Sequence, residues 1–172
     1  GNGGIYAAVS QVITNHETGV INGGYNGVYL NAGGTLYNRG EIAGRTAAAS
    51  CGVYVNGGTG IIQNGSDVTT PVSITGYSGG VYVASGAAEI YNGSAANLSA
   101  SISGTSASGV GVHLATTSAC VLENYGTITG SGTNNTGGGV YAAASQVINN
   151  HETGNINGGY NGVYLNAGGT LY

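Results

Sequence analysis

Methionine, tryptophan and phenylalanine are absent from this chain of 172 residues, lysine is missing as well, and there is a single proline, Pro71. A chain of this length ordinarily has room for a globular core. With no large apolar side chain other than aliphatics and tyrosine, and with 36 glycines, the composition resists that reading. Ala, Ser, Thr, Asn, Val, Ile and Tyr make up the bulk, and small turn-formers mixed with β-branched residues favour many short strands joined by tight bends. So much glycine and serine also fits a flexible linker. The apolar residues recur in phase, however, and a linker has no reason to keep phase.

Charge is scarce. Glu17, Glu41, Asp67, Glu89, Glu123 and Glu152 stand against Arg39 and Arg45, a net charge of -4. Holding a nucleic-acid backbone takes a clustered basic surface, so nucleic acid is excluded as a partner. Sparse charge leaves pH and salt little to act on, which is compatible with work outside the cell. No segment approaches the roughly 18 to 20 consecutive apolar residues of a membrane helix, so this segment is expected to make no membrane contact. Cys51 and Cys120 are the only thiols. With rungs stacked about 4.8 Å apart they lie beyond the roughly 7 Å reach of a disulfide. Cys120 falls where other units carry Ala88, Gly60 or Gly34 and reads as a small packing residue; Cys51 is either exposed or packed.

What the chain does have is repetition. Residues 4–37, GIYAAVSQVITNHETGVINGGYNGVYLNAGGTLY, return 135 positions later as residues 139–172, differing only at Ile5/Val140, Val9/Ala144, Thr14/Asn149 and Val20/Asn155. The chain therefore reads as one continuous segment of a longer tandem array, residues 1–172, with one long repeat at 4–138 and the start of the next at 139–172. Inside it, Gly followed by Val or Ile, then Tyr or His, then an apolar residue, begins at Gly4, Gly27, Gly52, Gly80, Gly111, Gly139 and Gly162. The intervals are 23, 25, 28, 31, 28 and 23 residues. Periods of this size mark a solenoid, whose units stack because none can bury an apolar face alone.

Aligning the units gives rows of period two, which describe strands. The first strand supplies inward Ile5, Val28, Val53, Val81, Val112, Val140 and Val163, and two places on Ala7, Leu30, Val55, Val83, Leu114, Ala142 and Leu165. Between them face outward Tyr6, Tyr29, Tyr54, Tyr82, His113, Tyr141 and Tyr164, an aromatic stripe suited to packing in a fibre or to glycan contact. The second strand repeats an aliphatic and an Asn, giving a structural ladder of Asn15, Asn38, Asn64, Asn92, Asn124 and Asn150 whose amides pass hydrogen bonds from rung to rung. The third strand ends in Ile, one residue, Gly, from Ile21 to Ile156. Extra residues of the longer units, around 69–73, 95–101 and 130–138 and after Gly104, are expected to bulge as surface loops. The fold predicted is all-β, a right-handed, single-stranded parallel β-helix (β-solenoid) of about six coils of 23–31 residues, three short strands each.

The stretches GVYLNAGGTLYNRGEIAG (27–44), GVYVNGGTGIIQNGSDV (52–68) and LENYGTITG (122–130) resemble the repeats of bacterial autotransporter passenger domains and related large secreted adhesins. That resemblance implies secretion, display at the bacterial cell surface, and roles in adhesion, aggregation or biofilm. The near-identity of the two copies departs from the family pattern and implies recent duplication in a long shaft.

Catalytic chemistry has little to stand on. His16 with Glu17 and His151 with Glu152 occupy the same bend of equivalent units, too far apart to form one site, and read as solvated turns. Glu41 and Asp67 with Arg39 and Arg45 are the best acidic and basic cluster, but glycoside hydrolysis needs two carboxyls flanking one bond, and the plainer reading is an exposed ion pair. No catalytic or metal residue and no cofactor is expected. A regular Thr-x-Thr array for binding ice is set aside, and the sequons at Asn64, Asn92, Asn97 and Asn134 are taken as coincidental. The expected function is an extracellular structural and adhesive shaft, not an enzyme, whose partners are other copies of itself and host or matrix glycans. The alternative is a carbohydrate-active β-helix enzyme or a tailspike-like glycan-binding module.

Overall fold

The computed structural model describes residues 3–45, 49–134 and 136–172, and those residues form strands, bends and turns with no helix. One coil shows the construction. Asn26–Leu30 runs along a first face, Gly34–Asn38 along a second and Glu41–Gly44 along a third. The next coil repeats the path one rung higher. Every ladder between strands is parallel: Ile5 lies beside Val28, Val28 beside Val53, Val53 beside Val81, and the column continues through Val112 and Val140 to Val163. This is the parallel β-solenoid expected from the repeats. Seven strands follow one another up the first face and six up the third among the described residues.

Period two sends alternate side chains inward, and in the middle coils Val28, Leu30, Leu36, Ile42, Val53, Val55, Ile62 and Ile74 are fully buried. Each such aliphatic contributes roughly 1.5–3 kcal/mol on removal from water. The four inner columns, two from the first face and one each from the second and third, join in one core that runs along the stack of coils. Glycine is required where the third face hands over to the first. A Cβ on Gly23, Gly76 or Gly130 would collide with the backbone oxygen of Asn26, Gly79 or Gly138.

Two expectations need correction. Three short strands per coil does not hold throughout, because Cys51–Asn64 and Gly79–Asn92 each run 14 residues across two faces. These two coils bend alike, with positive φ at Gly57, Gly58 and Gly86. Their corners therefore pair with each other, with register shifts around Asn56, instead of breaking the ladder. The extra residues do not simply bulge, either. Val72, Asn97 and Ala100 are buried, and the Asn97 amide donates to Gly65 O (3.1 Å) and Thr70 O (3.0 Å) of the coil below. The long connections of adjacent coils stack on each other as the strands do. In the connection after Thr127–Gly130, Thr133 and Asn134 are exposed, and Asn135 lies outside the described residues.

Candidate functional site

The asparagine column sits at the corner after the second face. Asn15 Nδ2 donates to Asn38 Oδ1, Asn38 to Asn64 and Asn64 to Asn92, each at 2.8 Å. Asn92 donates to Asn124 at 2.8 Å and Asn124 to Asn150 at 2.7 Å. The second amide hydrogen of each interior member reaches the backbone of the coil above, as from Asn64 to Ser101 O at 3.0 Å. Asn38, Asn64, Asn92 and Asn124 are fully buried, so their polarity is tolerated only because both ends of each amide are engaged. Three of the four sequon asparagines, Asn64, Asn92 and Asn97, are thus committed inside the fold; Asn134 is exposed.

The outward stripe of the first face forms a stack. Ring centroids lie 5.1 Å apart for Tyr6 and Tyr29, 4.9 Å for Tyr29 and Tyr54, and 5.2 Å for Tyr54 and Tyr82. His113 is edge-on between Tyr82 (4.6 Å) and Tyr141 (4.7 Å), and Tyr141 meets Tyr164 at 5.4 Å. The stripe is half-buried along its middle, and burial among these rings pushes the His113 imidazole down to about 4. His113 is therefore neutral at neutral pH.

The charged residues sort differently from their order in the sequence. Arg39 donates to Asp67 Oδ2 through Nε (3.0 Å) and Nη2 (2.6 Å); that hydrogen bond, with the attraction between the charges, raises the guanidinium pKa. Glu41 and Arg45 do not join them and stand at the two ends of the Glu41–Gly44 strand. His151 pairs not with its neighbour Glu152 but with Glu123 of the coil below, Nε2 to Oε2 at 2.8 Å, and its ring lies flat on Tyr125 at 3.7 Å. Asn149 Nδ2 donates to the other carboxylate oxygen of Glu123 at 2.6 Å. The solvated turn expected at His151 is instead a cross-rung cluster. The signal was available in principle, since Tyr125 and His151 both directly follow the ladder asparagine.

Both thiols are free and buried. Cys51 is level with Gly79 on the first face and Cys120 with Ala88 on the second. Burial pushes the Cys51 thiol up to about 11 and raises that of Cys120, so both stay protonated and act as small apolar groups. Among the described residues no three His, Cys, Asp or Glu side chains converge to hold a metal.

The third face carries a feature the sequence reading passed over. Ser73 and Thr75, Ser101 and Ser103, and Thr127 and Thr129 stand in two outward columns over three adjoining strands. Strict Thr-x-Thr occurs here only at Thr127 and Thr129, but hydroxyls fill all six places. Aligning the Ser/Thr-Ile-Ser/Thr triplets would have shown it. Compared with protein-family models, with curated proteins and with solved structures, the chain matches none.

Proposed function

We propose that this chain is a shaft segment of an extracellular, structural and adhesive protein of a bacterial surface or filament, acting through self-association in adhesion, aggregation or biofilm. The observation that carries the reading is the unbroken inner column from Ile5 to Val163, with the asparagine ladder beside it. A stack of this kind is mechanically uniform, because each coil sets its strands in register on those of its neighbours. Few charges oppose close lateral approach, and the tyrosine stripe offers a continuous half-exposed face for it. The acidic and basic cluster that kept an enzyme in view contains the Arg39–Asp67 pair, which engages two of its four charged groups with each other.

Electron microscopy of the purified protein over a range of concentrations tests this. Uniform fibres, or shafts joined end to end or side to side, are expected. Isolated particles at every concentration would end the self-association reading.

A further inference from the structure

Three depressions on the surface meet at Glu41. One of about 370 Å³ is bounded by Glu41, Arg45, Ser73, Thr75, Tyr77 and Thr105. A second, about 160 Å³, adds Pro71, Ser99 and Ser101 to Glu41, and a third, about 250 Å³, continues past Glu41 to Arg39 and Thr70. Together they make a trough across the third face. Its floor is the lower part of the hydroxyl array; its walls are the connections on either side, Pro71 and Ser99 on one, Arg45, Tyr77 and Thr105 on the other.

The chemistry of the trough is specific. The floor strand Ser73–Gly76 is paired on both sides, with Glu41–Gly44 and with Ser101–Gly104, so an extended peptide finds no free strand edge to join. What the floor presents instead is hydroxyls at one-rung spacing. Thr75 Oγ1 and Ser103 Oγ lie 3.2 Å apart, a pair able to donate or accept as a ligand requires. Tyr77 is 46% exposed on the wall and takes no part in the stacked stripe, which leaves a ring face open to apolar C–H groups. Glu41 and Arg45 form no ion pair with other side chains among the described residues. Four residues of extended chain hold them roughly 13 Å apart, one acceptor-only and one donor-only group at separate points of the trough.

We infer that the trough is an oligosaccharide site for a short glycan bearing a carboxylated sugar. Tyr77 lies against a sugar ring face, Ser73, Thr75, Ser101 and the Glu41 carboxylate engage sugar hydroxyls, and Arg45 pairs with the sugar carboxylate. The inference rests on the adhesive part of the function proposed above and names its ligand class; it does not depend on the self-association part.

The test is an array of uronate- and sialate-bearing oligosaccharides with their carboxyl-reduced counterparts, probed with the purified 172-residue protein, followed by calorimetric titration of the best hit. Tyr77→Ala and Arg45→Gln are each expected to weaken binding by about tenfold or more, the scale of one lost stacking or charge-assisted contact. Tyr160→Ala, at an exposed ring outside both the trough and the stripe, should leave affinity unchanged, with circular dichroism verifying that all three variants are folded. No glycan bound, equal binding of reduced glycans, or loss with Tyr160→Ala but not Tyr77→Ala would each overturn the proposal. Fibres without glycan binding would sink this inference alone. Glycan binding by particles that never associate would sink the self-association reading and leave this one standing.

Discussion

A buried primary amide is costly unless all its hydrogen-bonding capacity is used, and each interior asparagine of the ladder uses it in the direction of the shaft. Asn64 accepts from Asn38 and donates to Asn92 and to Ser101 O. Its removal strands the donor below and the acceptors above. Asn64→Ala is therefore expected to lower the free energy of unfolding by about 2 to 3 kcal/mol, read from urea denaturation. Asn64→Asp keeps the shape but cannot donate when ionised, and it places a charge where no cation waits. At pH 7 it should be worse than the alanine variant by at least about 1 kcal/mol. An aspartate variant as stable as the native chain would mean that the ladder fills space and carries no directional bonding.

Between residue and molecule stands the column, and the aromatic stripe shows how one substitution within it creates a pH response. His113 occupies a tyrosine position and is held neutral down to about 4, against 6.5 for a free imidazole. As pH falls from 6.5 toward 4, the unfolded chain takes up a proton that the folded chain refuses. Stability is therefore full above about 6.5 and is lost through that interval. His113→Tyr should abolish this component and continue the ring stack. The check is the urea midpoint at pH 7 and pH 4.5 in both proteins: a larger drop is expected for the native chain, and identical drops would show that His113 does not titrate in the fold as argued. The columns themselves were legible in the sequence, because each strand alternates with period two and the glycine corners reset the phase, so Val28, Val53 and Val81 align by inspection. What was not legible depends on parts that lack a period. Asn97 reaches Thr70, and Pro71 and Ser99 line one trough, because connections of unequal length from successive coils come to rest on each other. His151 finds Glu123 and not Glu152 because stacking brings residues of adjacent coils closer than neighbours in the chain that point apart.

At the scale of the whole molecule, stability is close to a sum over coils and the contacts between nearest neighbours. Phase, more than length, then decides whether an altered chain folds. Removing residues 27–51 joins Asn26 to Gly52, deletes one complete coil and returns every column to its place, since Val28 and Val53 are partners in register. That variant is expected to fold, with a strand spectrum like that of the parent and a denaturant slope reduced by roughly the share of surface one coil buries. Removing residues 27–39 instead joins Asn26 to Gly40. It carries third-face residues into the path of the first and turns Ile42 and its successors off their columns. This shorter deletion should abolish the cooperative transition, although it takes away fewer residues. If the partial-coil variant unfolds as cooperatively as the full-coil one, the stack is not held by rung-on-rung register, and the uniform column on which the proposed surface role rests loses its physical basis.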